Sequence, residues 1–134
     1  MKNNLLEELV LKILKIDFPT DLSKIQDVEN DNVDVFVTLD DGLTYSLVVT
    51  TPNNYYRLMD KEKTDFISAA PPSIIVRKLT EEIIGKAVES YLADNAYWLK
   101  LYFLAGNRSN AFEVARMDKM IEDIKKSNEE IANS

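Results

Sequence analysis

Carboxylates supply most of the chemistry this chain could do, and four of them, Asp27, Glu29, Asp31 and Asp34, have the spacing of calcium-loop ligands. Such a loop needs glycine at its sixth position for the sharp turn and glutamate at its twelfth to grip the ion. Counted from Asp27, those positions hold Asn32 and Thr38. The spacing describes an acidic turn, and no metal site is expected. Asp40 and Asp41 are adjacent, but an acid/base pair requires a cleft that lifts one pKa. With Gly42 behind them they read as a solvated turn. Glu81 and Glu82 follow Thr80 as first-turn residues, where negative charge meets the positive end of a helix.

Nucleophilic routes are narrower still. The chain has no His and no Cys. That removes the usual zinc sites, thiolate chemistry, disulfides and every relay in which His activates Ser or Thr. Ser23 and Lys24 are neighbours, yet adjacent side chains in a strand point to opposite faces. Three scattered glycines form no phosphate cradle. No catalytic residue and no cofactor is assigned.

Two features suit recognition better than catalysis. Tyr91, Tyr97, Trp98, Tyr102 and Phe103 crowd one stretch. Trp98 and Phe103 are expected to fill the core, with Trp98 and Tyr102 on one helical face and Tyr97 pointing elsewhere. Tyr97 and Tyr102 are candidate contact residues, because tyrosine is favoured at binding hot spots. Further on, Val114, Met117, Ile121, Ile124, Asn128 and Ile131 recur at alternating intervals of three and four. This narrow seam with charged flanks fits a helix that pairs with another chain, and the alternative is packing on its own domain. Ile121 and Ile124 are its candidate contacts, with pairing expected only for the distal half, beyond about Met120.

Charge adds a third signal. The formal charge is −7, and residues 17–65 carry the whole excess. Nucleic-acid backbones call for the opposite sign. Asp31, Asp34, Asp40 and Asp41 could form an acidic face toward a basic protein partner, although solvated loops account for the same pattern.

All these residues must be held by 134 residues that are 46% hydrophobic, enough for one domain with its own core. Asn4 caps a first helix, Glu7 completes a capping box, and Leu5, Leu6, Leu9, Val10 and Ile13 form its stripe. Pro19 ends that helix by about Asp17. Residues 33–50 alternate as a β-hairpin. A two-residue Asp41-Gly42 loop would put the apolar sets of its strands on opposite faces. A three-residue loop, Asp40-Asp41-Gly42, pairs Leu39 with Leu43 and Val37 with Tyr45, so the apolar residues share one face. Lys24–Val28 is expected as a further strand, Thr51-Pro52 as the start of a helix through about Met59, and Ser73–Lys78 as a buried strand. Thr80 caps the next helix, Asp94-Asn95 breaks it, and Gly106 stops the segment that follows. The last helix begins at Ser109 or Asn110, and its final residues should fray.

The expected architecture is a single α+β domain over 1–134. It has a small antiparallel sheet of three to four strands covered on one face by helices, an N-terminal helix and two long C-terminal helices. No apolar run approaches the roughly 20 residues that span a membrane. Lys2 precedes a leucine-rich stretch, but Glu7, Glu8 and Lys12 interrupt it, so a cytoplasmic location is expected. The function expected is a non-catalytic, acidic protein-interaction module, with an immunity or antitoxin-type inhibitor as its concrete form. The alternatives are a small carboxylate- or tyrosine-using enzyme or ligand-binding domain, and a structural subunit that forms a homo-oligomer through the last helix.

Overall fold

The computed structural model describes residues 11–107 and 113–133. Its centre is the hairpin of β2 (Asn32–Leu39) and β3 (Thr44–Thr50). Val35 faces Leu47, Val37 faces Tyr45, and Thr38 faces Thr44. The Leu39 N–H donates to the Leu43 carbonyl at 3.1 Å, and the Gly42 N–H donates to the Leu39 carbonyl at 3.1 Å. The loop is the three-residue one, and Gly42 has the positive φ of 84° that its bulge demands. Leu43, the residue that follows the loop, stays exposed. A Cβ at position 42 would meet nothing within 4 Å, so Gly42→Val tests conformation alone. It is expected to cost about 1–2 kcal/mol in a urea melt.

β1 (Ile13–Asp17) replaces the end of the expected first helix, and the rest of that helix, residues 1–10, lies outside the described residues. The strand pairs antiparallel with β2, with a register shift between Ile13 and Lys15. Leu14 is the extra residue of this bulge and is exposed. The bulge turns both Ile13, opposite Leu39, and Ile16, opposite Val37, toward the core. Two inward residues three apart imitate a helical stripe. The expected strand at Lys24–Val28 is instead a 3₁₀ turn, Leu22–Lys24, followed by irregular chain. Asp21 caps that turn through the hydroxyl and then the N–H of Ser23, which hold its carboxyl below the ordinary range.

α1 (Pro52–Glu62) starts at the expected threonine-proline pair. The Thr51 hydroxyl turns away from the helix and pairs with the backbone of Asp31, joining the start of α1 to that of β2. The sheet is mixed, which corrects the antiparallel expectation: β4 (Ile74–Ile75) runs parallel to β3 in the order β1-β2-β3-β4. It is shorter than Ser73–Lys78. Pro71 and Pro72 have no N–H to pair with, and Ile75 faces outward. Ile74, Val76 and Leu79 are buried, and the Leu79 N–H donates to Val28 at 2.8 Å.

α2 (Glu81–Ser90) is capped by the Thr80 hydroxyl, which accepts the Ile83 N–H at 3.2 Å. It lays Ile84 and Val88 on the sheet. α3 (Ala93–Gly106) ends at Gly106. Asp94, Asn95 and Ala96 near its start are left-handed, with φ of 56°, 60° and 58°, so the break falls at the expected pair and one residue beyond. Ala96 and Leu99 are fully buried, and Phe103 meets the Tyr45 ring edge-on at 5.2 Å. α4 (Val114–Asn133) follows, and the expected start at Ser109 or Asn110 lies outside the described residues.

Candidate interaction surface

The core closes between one sheet face and the helices α2 and α3. α4 contributes no buried residue to it. Its helix starts where the Glu113 carbonyl accepts the N–H groups of Arg116 and Met117, both at 3.0 Å. Charged pairs along its flank, Arg116 with Glu113 at 3.9 Å and Lys119 with Asp123 at 3.8 Å, lie on exposed sides and contribute little. The 20 residues make a rod about 30 Å long. Ile121 is 61% exposed and Ile124 is 60% exposed, with Val114, Met117 and Met120 also uncovered. The exposed face is thus wider than the expected seam. Met120 was missed because it lies beside the three-four repeat, and widening the stripe by one position would have found it. Single exposed apolar side chains are ordinary, whereas contiguous apolar patches are the commoner setting for protein contact.

The aromatic stretch divides differently from the expectation. Trp98 is 52% exposed, which corrects its assignment to the core. Ala96, Leu99 and Phe103 take the inward positions and leave Trp98 outside. Tyr97, also exposed, meets the Trp98 ring edge-on at 5.3 Å, so these two form the outward pair. Tyr102 instead packs at the core boundary, edge-on to Tyr91 at 5.1 Å. Burial and then the Tyr102 hydroxyl push the Tyr91 phenol up to about 12.

The four acidic candidates are not gathered in one place. From Asp31 to Asp40 the strand runs about 30 Å. The Asp31 carboxylate accepts the Asn32 N–H at 2.8 Å, and that of Asp40 accepts the Lys12 N–H at 3.0 Å. Asp41 accepts the Leu43 N–H at 2.9 Å and the Tyr45 hydroxyl at 2.8 Å. The Leu43 bond chiefly, then the Tyr45 hydroxyl and Lys100, hold its carboxyl below the ordinary range against slight desolvation. Asp34 points from the exposed face of β2. Three of these four carboxylates fasten turns or strand ends.

Tyr45 and Tyr91 make a measurable prediction. Burial, with Asp41 second, pushes Tyr45 up to about 12 as well. Both phenols are neutral in the fold and ionise near 10 when unfolded. Their contribution is whole below pH 10 and declines as pH rises from 10 through 12. Absorbance titration should therefore show Tyr45 and Tyr91 ionising late, with falling stability across that window.

A cleft of about 600 Å³ lies between the start of β1 and the left-handed turn, lined by Leu11, Lys12, Ile13, Glu89, Leu92 and Asn95 among others. Among the described residues, no group of three or more carboxylates could hold a metal ion, and no helix is long and apolar enough to cross a membrane. Comparison with known protein families, with curated proteins and with solved structures finds no match for this chain.

Proposed function

We propose that the protein is a non-catalytic interaction module of the cytoplasm that engages a protein partner through α4. The observation that carries this reading is the apolar face of α4, exposed beside a core that closes without it. The outward pair Tyr97 and Trp98 supports it, since such aromatics are favoured as binding anchors. An inhibitor of the immunity or antitoxin type is the form that suits a small acidic chain without His or Cys. The test is affinity capture from the native cell with the full chain and with Ile121→Asp. A partner held by the native chain and lost with the variant supports the module. Equal capture by both removes α4 from the reading.

A ligand-binding domain is the second reading, favoured by the cleft beside the left-handed turn. Backbone held in a sparsely populated conformation clusters at ligand sites. Native mass spectrometry of the purified protein decides it, through retention or absence of a small molecule.

A further inference from the structure

The charges flanking the α4 seam say what kind of chain could cover it. Val114, Ile121 and Asn128 occupy the a positions of a heptad, and Met117, Ile124 and Ile131 the d positions. This set is self-complementary when a second copy runs in the opposite direction. Ile121 then meets the partner's Ile124 on both sides of a two-fold axis, with Met117 opposite the partner's Asn128 and Val114 opposite the partner's Ile131. In that register Asp118 lies beside the partner's Lys125, and the symmetry repeats the pair. Neither Asp118 nor Lys125 is in an ion pair among the described residues.

The parallel arrangement fares worse. It sets Glu113 beside the partner's Asp118, again twice, so two attractive contacts become two repulsive ones. It would pair Asn128 with its own copy, a device that specifies parallel coils when that position is buried. Here Asn128 is in the last two turns of a 20-residue helix, where water reaches it. Opposed helices also align their dipoles favourably.

We propose that α4 pairs with α4 of a second copy of this chain, antiparallel and centred between Ile121 and Ile124. This deepens the module reading by naming its partner. An interface about 30 Å long and one helix wide is at the small end for specific association, so the dimer is read over a concentration series.

Sedimentation of the full chain, of Asp118→Lys, of Lys125→Asp and of the double variant tests the proposal on exposed positions that the fold does not need. Each single swap is expected to weaken the dimer about tenfold, and the double swap to return it to within about threefold of native. Tighter association of Asp118→Lys would indicate the parallel form, because the new Lys then meets Glu113, and that overturns the proposal.

The cysteine-free sequence permits spin labels at single introduced thiols. In the antiparallel dimer, labels on Ala115→Cys are about 20 Å farther apart along the axis than labels on Glu122→Cys. Equal separations overturn the proposal. So does a chain that sediments as a monomer at every concentration. In that case, capture of another protein that Ile121→Asp abolishes keeps the module reading while the self-pairing falls. A monomer whose melt drops with Ile121→Asp means the face is covered within its own chain, and both readings fall.

Discussion

Ile124→Asp is expected to leave the unfolding free energy within about 0.5 kcal/mol of native and to weaken α4-dependent association at least tenfold, about 1.4 kcal/mol or more. The fold contributes nothing that this change could remove, because Ile124 is exposed on a helix with no buried residue. Isoleucine and aspartate also differ little in helix propensity. The partner surface is the part that suffers, since an unpaired carboxylate would have to be buried there. Parallel urea melts and sedimentation runs on one preparation separate the two effects. A fall of 2 kcal/mol or more in the melt would place Ile124 in a core instead.

Leu99→Ala is expected to do the opposite, costing about 2–5 kcal/mol and lowering the melting temperature on the order of 10 °C. Leu99 is fully buried on α3, in the cluster that includes Tyr45 and Leu47 of β3. Truncation leaves a cavity that the surrounding core cannot fill without moving the elements packed around it. Association through α4 should follow only the folded fraction. A loss below about 1 kcal/mol would show that α3 does not close the core as described.

Some of this was legible in the residues alone. The hairpin register followed from two alternating runs and one glycine, because a one-residue slip would have turned Tyr45 and Leu47 away from the core. Thr80, Pro52 and Gly106 marked helix ends through local chemistry, although the Thr51 hydroxyl went to Asp31 rather than to its helix. Long-range geometry hid the rest. Ile13 and Ile16 reach the same face only because a bulge opposite Leu39 and Thr38 absorbs Leu14, and periodicity cannot distinguish that from a helix. Trp98 was misplaced because its size argued for the core, whereas α3, restarting after three left-handed residues, turns Ala96, Leu99 and Phe103 inward instead. The parallel course of β4 depends on α1 carrying the chain across, which two adjacent isoleucines do not announce. At the candidate surface, the seam of Ile121 and Ile124 was readable by spacing, whereas its exposure was not. The acidic residues gave charge but no placement, since Asp31, Asp40 and Asp41 accept from backbone N–H groups, and Asp41 also from Tyr45, that only the folded chain brings to them.

The brevity of β4 also bears on handling at high concentration. Because the Leu39 N–H donates to the Leu43 carbonyl, Thr44, Ser46 and Val48 direct their amides away from β2, toward the side where β4 pairs only with Val49 and Thr50. From Thr44 to Ser46 no strand meets them among the described residues, leaving an open template for strand addition. Pro71 and Pro72 border the hollow of about 220 Å³ beside Ser46 and so bar the chain's own neighbouring segment from lengthening the sheet. The same prolines obstruct an intruding strand along that edge. Replacing them to lengthen β4 would trade a local gain in pairing for the loss of a guard against fibrous self-assembly.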